Sequence, residues 1–389
     1  MFNLSNLIKQ IRFNQIKTID LNHKKIPDYS KKPHRSVIRL KNHQDLERID
    51  EWMSVVVLSN DFIATSANNN IYLWDVNIGK HVTKLSSDTN IKSLLALSDG
   101  RFISCHEDSS INLWLPDGDD YMSELLFNQI AGISCLTVLP DNLIVTCGND
   151  NFIRFWDINN KQMIFHLVNE SNNKIKMIIA DYDNNIVTVD DENTVTFWNI
   201  DQSCKRKSFK LEFTLCSLAI DDSGNIFCGD WFGRIIEINP SYSYLITERF
   251  KISNNYIYTI KILPDCELLV NSIFDIMCIL DQTGNSITQS LSIENKCDGA
   301  TIEVLSDGRI VVGGPYGSVM ILQFPLRQLT ISDLYPVFDA LQKNKSVTEL
   351  NIEKVKIDNI HSYNNLTLNL MSIRNDLAII SNTSSKNEA

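Results

Sequence analysis

The sequence predicts a mainly β protein: seven consecutive units of about 40 residues, each a four-stranded antiparallel sheet, closed into a ring. Three observations predict this. A strand ending in a bulky residue recurs at a steady period, each period divides into four β-rich segments, and one unpaired β-like run remains near the start to complete the last unit.

The recurring strand is "NNIYLWDVNIGK", Asn69 to Lys80, whose Trp74-Asp75 pair returns in "INLWLPDG" (Trp114), "FIRFWDINN" (Trp156-Asp157) and "TVTFWNIDQ" (Trp198). Fainter copies place the same position at Ile236, Ile279 and Leu322, giving spacings of 40, 42, 42, 38, 43 and 43. Inside one unit, 91–127, four β-rich segments are separated by "SDG", "EDSS" and "PDGDD", whose Asp, Gly and Ser favour turns. Four short strands without a helical period describe one blade of a β-propeller. The bulky residue then lies on the third strand, wedged between neighbouring sheets, which explains why Trp gives way to Ile or Leu and never to a charge.

On these residues the chain resembles the WD40-repeat family of seven-bladed β-propellers. The resemblance spans about residues 34–324 and is specific in blades one to four and degenerate in blades five to seven. Asp108, Asp150 and Asp230 match the family's turn Asp, six residues before the Trp position, and Glu192 and Asn68 come near it. The Gly-His dipeptide usual before the first strand is missing, which implies an incomplete buried hydrogen-bond network.

Blade seven supplies "ATIEVL", "RIVVGGP" and "SVMILQF" and lacks a fourth strand, so "HRSVIRL", 34–40, is expected to complete it and remove an exposed sheet edge. Beyond the propeller (34–324), residues 1–33 read as a basic helix and strand, and 325–380 as an α/β segment. Leu4, Leu7, Ile8 and Ile11 share one helical face, as do Leu334, Val337, Phe338 and Leu341, with Ser332-Asp333 as a cap. Helix followed by "SVTELNI" resembles a single leucine-rich repeat of the ribonuclease-inhibitor type, and "TIDLNHKKI" near the start aligns with "TELNIEKVKI". Both ends are therefore expected to build one α/β lobe, covered by a second helix within 362–380 and followed by a disordered tail, 381–389.

Residues 1–41 carry ten Lys and Arg against two acids, so the remaining 348 residues hold −19 of a net charge of −11. An acidic body argues against nucleic acid as partner. The nine Cys form no C-x-x-C pair, which points to a reduced, intracellular (cytoplasmic) protein with structural thiols. No metal motif, phosphate loop or nucleophile elbow is present, so no catalytic residue, cofactor or metal is expected.

What remains is surface. Trp231, Phe232, Phe274 and Tyr316 fall in turns between second and third strands, Tyr256 and Tyr258 near the start of a first strand, and Asp190, Asp191 and Glu192 form an acidic corner beside them. Clustered aromatics mark binding hot spots. The competing reading is that Trp231 or Phe232 folds inward to fill the space of the Trp that blade five lacks. The function expected is a noncatalytic protein–protein interaction scaffold or adaptor. Two alternatives stand beside it: a peripheral adaptor that binds anionic lipid through the basic segment, and a ubiquitin-ligase substrate receptor. Asn77 and Asn159 count against the last, because Arg often occupies those places in such receptors. Heavy use of Asn, Ile and Lys is the signature of an AT-rich genome; for an effector of an intracellular microbe the partner would lie in a host cytosol.

Overall fold

In a computed structural model of the chain, the described residues are 7, 11, 18–20, 24–27, 34–39, 54–58, 62–117, 120–128, 132–139, 142–181, 184–200, 204–221, 223–240, 243–263, 267–272, 277–281, 287–291, 301–305, 307–313, 318–328, 337, 341, 349–351 and 378–380. Seven four-stranded antiparallel sheets form a seven-bladed β-propeller. Blades one to six occupy 54–86, 91–128, 133–168, 175–210, 215–251 and 257–291, each built from four consecutive strands, a to d, from the channel outward. Blade seven takes Ile302–Val304, Ile310–Gly313 and Ser318–Gln323 as a to c, and the N-terminal His34–Arg39 as d. Its register runs from His34 opposite Gln323 to Arg39 opposite Ser318. The expected closing strand is in place, and strand a of blade seven touches strand a of blade one.

Each blade buries both faces against its neighbours. Seven core clusters lie between successive blades, and the one that seals the ring joins Val55, Ile63 and Trp74 of blade one to Val311, Val319 and Ile321 of blade seven. Strand b, central in its sheet and covered on both sides, is therefore buried along its length, as in Phe102–His106 and Ile226–Asp230. Strand d, at the rim, alternates between core and solvent, as in Lys80–Ser86.

The Trp position is anchored by one buried hydrogen bond. In blades one to four the indole Nε1–H donates to a hydroxyl on strand b: Trp74 to Thr65 and Trp114 to Ser104 at 2.9 Å, Trp156 to Thr146 at 2.8 Å, and Trp198 to Thr188 at 2.9 Å. Strand register gives the equivalent position in the other blades. Trp198 pairs with Ile186, Ile238 with Ile226, Leu280 with Leu268 and Leu322 with Ile310. The positions expected at Ile236 and Ile279 are thus corrected to Ile238 and Leu280, and the spacing evens out to 40, 42, 42, 40, 42 and 42. The hydroxyl changes with its partner: ten residues before Ile238, Leu280 and Leu322 stand Cys228, Val270 and Val312, all buried. Without an indole donor, a buried hydroxyl there would lose its partner, so an apolar side chain replaces it.

The Asp after Trp has its own task. Asp75 accepts from the N–H of Asn77 and Ile78, and Asp157 from those of Asn159 and Asn160, capping the turn between strands c and d. Blade two extends the indole bond further. Ser104 Oγ lies 2.8 Å from His106 Nε2, and His106 Nδ1 lies 3.2 Å from the Thr89 carbonyl, so a neutral imidazole accepts from the serine and donates to the carbonyl. A histidine at the end of strand b thus extends the indole bond to the loop before strand a.

Both chain ends meet at the seam in a small α/β lobe. Lys25–Pro27 pairs antiparallel with Leu326–Gln328. Thr18–Asp20 pairs parallel with Glu349–Asn351, which pairs parallel with Ala378–Ile380. Helical Leu7, Ile11, Val337 and Leu341 are buried with Ile19 and Leu350. Of 362–380, where a covering helix is expected, the described residues are 378–380, which form the third strand of the sheet. The rest of that segment, the Ser332-Asp333 cap and the tail 381–389 lie outside the described residues.

Two predictions follow from these bonds. Thr146→Val leaves the Trp156 indole unpaired in the core and is expected to cost about 1–3 kcal/mol of stability by urea unfolding. Burial, opposed in part by backbone hydrogen bonds, holds His81 and His106 below 6.5. Unfolded histidines then bind protons first as pH falls, so stability is full above about 6.5 and declines as pH drops through the depressed values. Urea midpoints measured from about pH 7.5 to about pH 5 should fall, and the fall should be shallower in His106→Gln.

Candidate functional site

The turn between strands b and c of blade five (Ile226–Asp230 and Arg234–Asn239) projects two aromatic rings from one face of the ring. Asp230 explains why. Its carboxylate is fully buried; Oδ1 accepts from the N–H of Phe232 at 2.9 Å and of Arg234 at 2.7 Å, and Oδ2 pairs with the Arg234 guanidinium at 2.6 Å. Trp231 N–H donates to the Thr214 carbonyl. With its polar groups satisfied inward, the turn turns its side chains outward.

Trp231 is 54% and Phe232 55% exposed. The Trp231 ring stacks on Tyr256, from the loop before blade six, with centroids 4.9 Å apart and planes 18° from parallel. The Arg234 guanidinium lies 5.8 Å from the Phe232 ring and 4.8 Å from that of Phe213, which comes from the loop between blades four and five. Aromatic side chains from three segments thus share this corner. The inward-filling reading of Trp231 and Phe232 is overturned, because the space left by the missing Trp is taken by Ile238, Ile236 and Cys228, with Tyr244 packed edge-on against Phe197 at 4.7 Å.

The other expected site residues sort differently. Tyr258 lies on strand a of blade six (Ile257–Ile262), 38% exposed, and lines the central channel, a cavity of about 460 Å³, so it is separated from the aromatic corner. Phe274 and Tyr316 lie outside the described residues. Asp190 is corrected: it is 2% exposed and works as a cap, accepting from the N–H of Glu192 and Thr194. Burial alone would raise its carboxyl, but the Thr194 N–H with Asn173 and Ser171 outweighs that and holds it below the usual carboxylate value. Asp191 and Glu192 are exposed, the latter 2.6 Å from Lys210.

The register also separates two kinds of turn Asp. Asp108 and Asp150 stand six residues before Trp114 and Trp156, and accept from the N–H two places on. Asp190 and Asp230 stand eight residues before Trp198 and Ile238, at the end of strand b. The match assigned to Asp230 is therefore corrected, and Phe232 occupies the place of Asp150. The sequence did not mark that shift, since Asp150 and Asp230 are both followed four places on by an Arg.

Sequence reasoning missed Gly233. Its φ is +76°, and a Cβ there would meet the Ser253 carbonyl oxygen at 2.4 Å, so the loop before blade six closes directly onto the turn. Arg234 and Phe213 were missed as well; neither stands out as exposed or aromatic-clustered until the blades are laid side by side. Among the described residues, no group of three or more His, Cys, Asp or Glu is arranged to hold a metal ion.

The sequence profile described as "WD domain, G-beta repeat" matches residues 127–157. These run from the end of blade two through strand c of blade three and include Trp156, Asp157 and the Thr146 hydroxyl partner. No curated protein matches the chain. The matched unit is one of seven blades on the same plan, and in it the chain is similar to WD40-repeat proteins.

Because both rings are half exposed, Trp231→Ala and Phe232→Ala should each cost no more than about 1 kcal/mol, the worth of the Tyr256 stack and of the Arg234 contact. Gly233→Ala should destabilise by about 1 kcal/mol or more, since it meets both a carbonyl and an unfavourable φ. Urea titration of the three variants checks both statements.

Proposed function

We propose that this chain is a noncatalytic scaffold or adaptor that holds another protein on the face carrying Trp231, Phe232 and Tyr256. One observation carries the reading: two large aromatic side chains are held out of the core by a turn whose backbone N–H groups are bonded within the protein, although buried space is what such side chains ordinarily seek. Aromatic rings and a positioned Arg on adjacent loops are the residue types that dominate protein interfaces. Exposed Asp191 and Glu192 lie on the neighbouring turn of blade four and would tune on-rate and partner choice more than affinity.

The lipid-binding alternative has less support. Leu7 and Ile11, on the apolar face that a membrane-surface helix would insert, are buried in the terminal lobe. The basic segment reads instead as part of the ring's closure. For the ligase-receptor reading, the N–H groups of Asn77 and Asn159 are taken up in the turns capped by Asp75 and Asp157, and nothing else speaks for it. Among the described residues six cysteines are free thiols, which fits the reducing, cytoplasmic compartment we assign.

Affinity capture with the purified full chain, compared with Trp231→Ala/Phe232→Ala, tests the proposal. A protein that binds directly to the full chain in reconstitution and loses at least about tenfold in affinity to the double variant is the expected result. Equal binding by both proteins, or sedimentation of the full chain with anionic vesicles in place of any protein partner, would overturn it.

A further inference from the structure

Cys135 and Cys147 stand directly opposite each other on strands a and b of blade three (Ile133–Val138 and Leu143–Gly148). Side chains of directly paired antiparallel residues project to the same face, and their Cα atoms lie about 4.5–5.5 Å apart. A disulfide spans Cα separations of about 4.4–6.8 Å, so the backbone already has the spacing that a bridge needs. Both thiols are free, and both belong to the core between blades three and four: Cys147 is fully buried with Val145 and Phe155, and Cys135 packs on that cluster from a half-buried position.

We propose that Cys135 and Cys147 are a peroxide-oxidisable dithiol, with Cys135 reacting first and Cys147 resolving it. Burial assigns the order. It pushes the Cys147 thiol well up, with further upward pressure from Cys135, and raises Cys105, on the neighbouring blade, to about 11. Cys105 and Cys147 are buried, and Cys135 is the partly accessible thiol of the three, the one a peroxide can reach first. The Cys135 thiolate attacks one oxygen of a hydroperoxide. An S–O bond forms, the O–O bond breaks, and the leaving alkoxide takes a proton; the sulfur is oxidised to a sulfenic acid and the peroxide reduced to an alcohol or water. The Cys147 sulfur then attacks the Cys135 sulfur. The S–S bond forms, the S–O bond breaks, and the Cys147 proton leaves with the hydroxyl as water.

The product has a structural consequence. In the dithiol, the Cys135 S–H points at the Ile175 carbonyl of blade four at 3.7 Å. The disulfide removes that donor and ties strand a to strand b within blade three, leaving Ser134 Oγ as the remaining donor to Ile175. Oxidation therefore exchanges a contact between blades for a covalent bond inside one.

The experiment uses the reduced full chain and hydrogen peroxide. Free thiols titrated after denaturation should fall from nine to seven, return to nine with dithiothreitol, and map by peptide mass spectrometry to a Cys135–Cys147 link. Cys135→Ser and Cys147→Ser should each abolish the link, while Cys105→Ser should leave it. An unchanged titre, a link through Cys105, or Cys135 carried to sulfinic acid with Cys147 still free would each refute the assignment. The peptide map of the unsubstituted chain decides alone if a serine in the core prevents folding.

Discussion

Everything in this molecule depends on the six-residue strand His34–Arg39 lying against Ser318–Gln323. A blade is apolar on both faces, so each sheet needs two neighbours, and an open row of seven would leave two apolar faces and two sheet edges in water. Pairing the N-terminal strand into the last blade sets that blade's outer edge and brings blades one and seven into one core around Trp74, Ile63 and Val311. Because closure couples residues nearly 300 positions apart, no partial ring gains the stability of the whole. The terminal lobe extends the same logic, since the segments that flank the closing strands pair with each other a few residues farther out.

Within that ring, the pairing of indole and hydroxyl decides how each blade is filled. Four blades use a Trp with Thr or Ser, and three use an aliphatic residue with Cys or Val. These are two solutions to one condition, that no polar group be buried without a partner. The second solution needs less volume. In blade five the remainder is taken up by Tyr244 from the turn before strand d, which leaves Trp231 and Phe232 unneeded in the core. Asp230 completes the arrangement by moving the turn's cap to the end of strand b, which vacates the place held by Asp150 in blade three for an outward Phe232.

The fold was largely legible because a period near 40 and turn residues at matching places are linear properties of the chain. Trp74, Trp114, Trp156 and Trp198 were found where their indoles are anchored. Ile236 and Ile279 were not the equivalents of Trp, because β-branched residues occur throughout strands b and c and nothing local distinguishes one from the next. The deciding signal was nonlocal, namely which residue of strand b lies opposite. Asp190 was misread for a related reason: three consecutive acids look like a charged surface, yet the first of them turns under the loop and bonds its amides.

By itself, the sequence determined the number of units, the order of strands within them, and the run that closes the ring. These follow from hydrophobic period and turn chemistry, which act over a few residues. Only the tertiary structure decided the direction in which Trp231 and Phe232 point, the stacking of Trp231 on Tyr256, the placement of Arg234 between two rings, and the meeting of Cys135 with Cys147. The reason is physical. Burial of an aromatic or a thiol is settled by the volume left between packed sheets and by which strands lie face to face, and neither exists until the blades have come together.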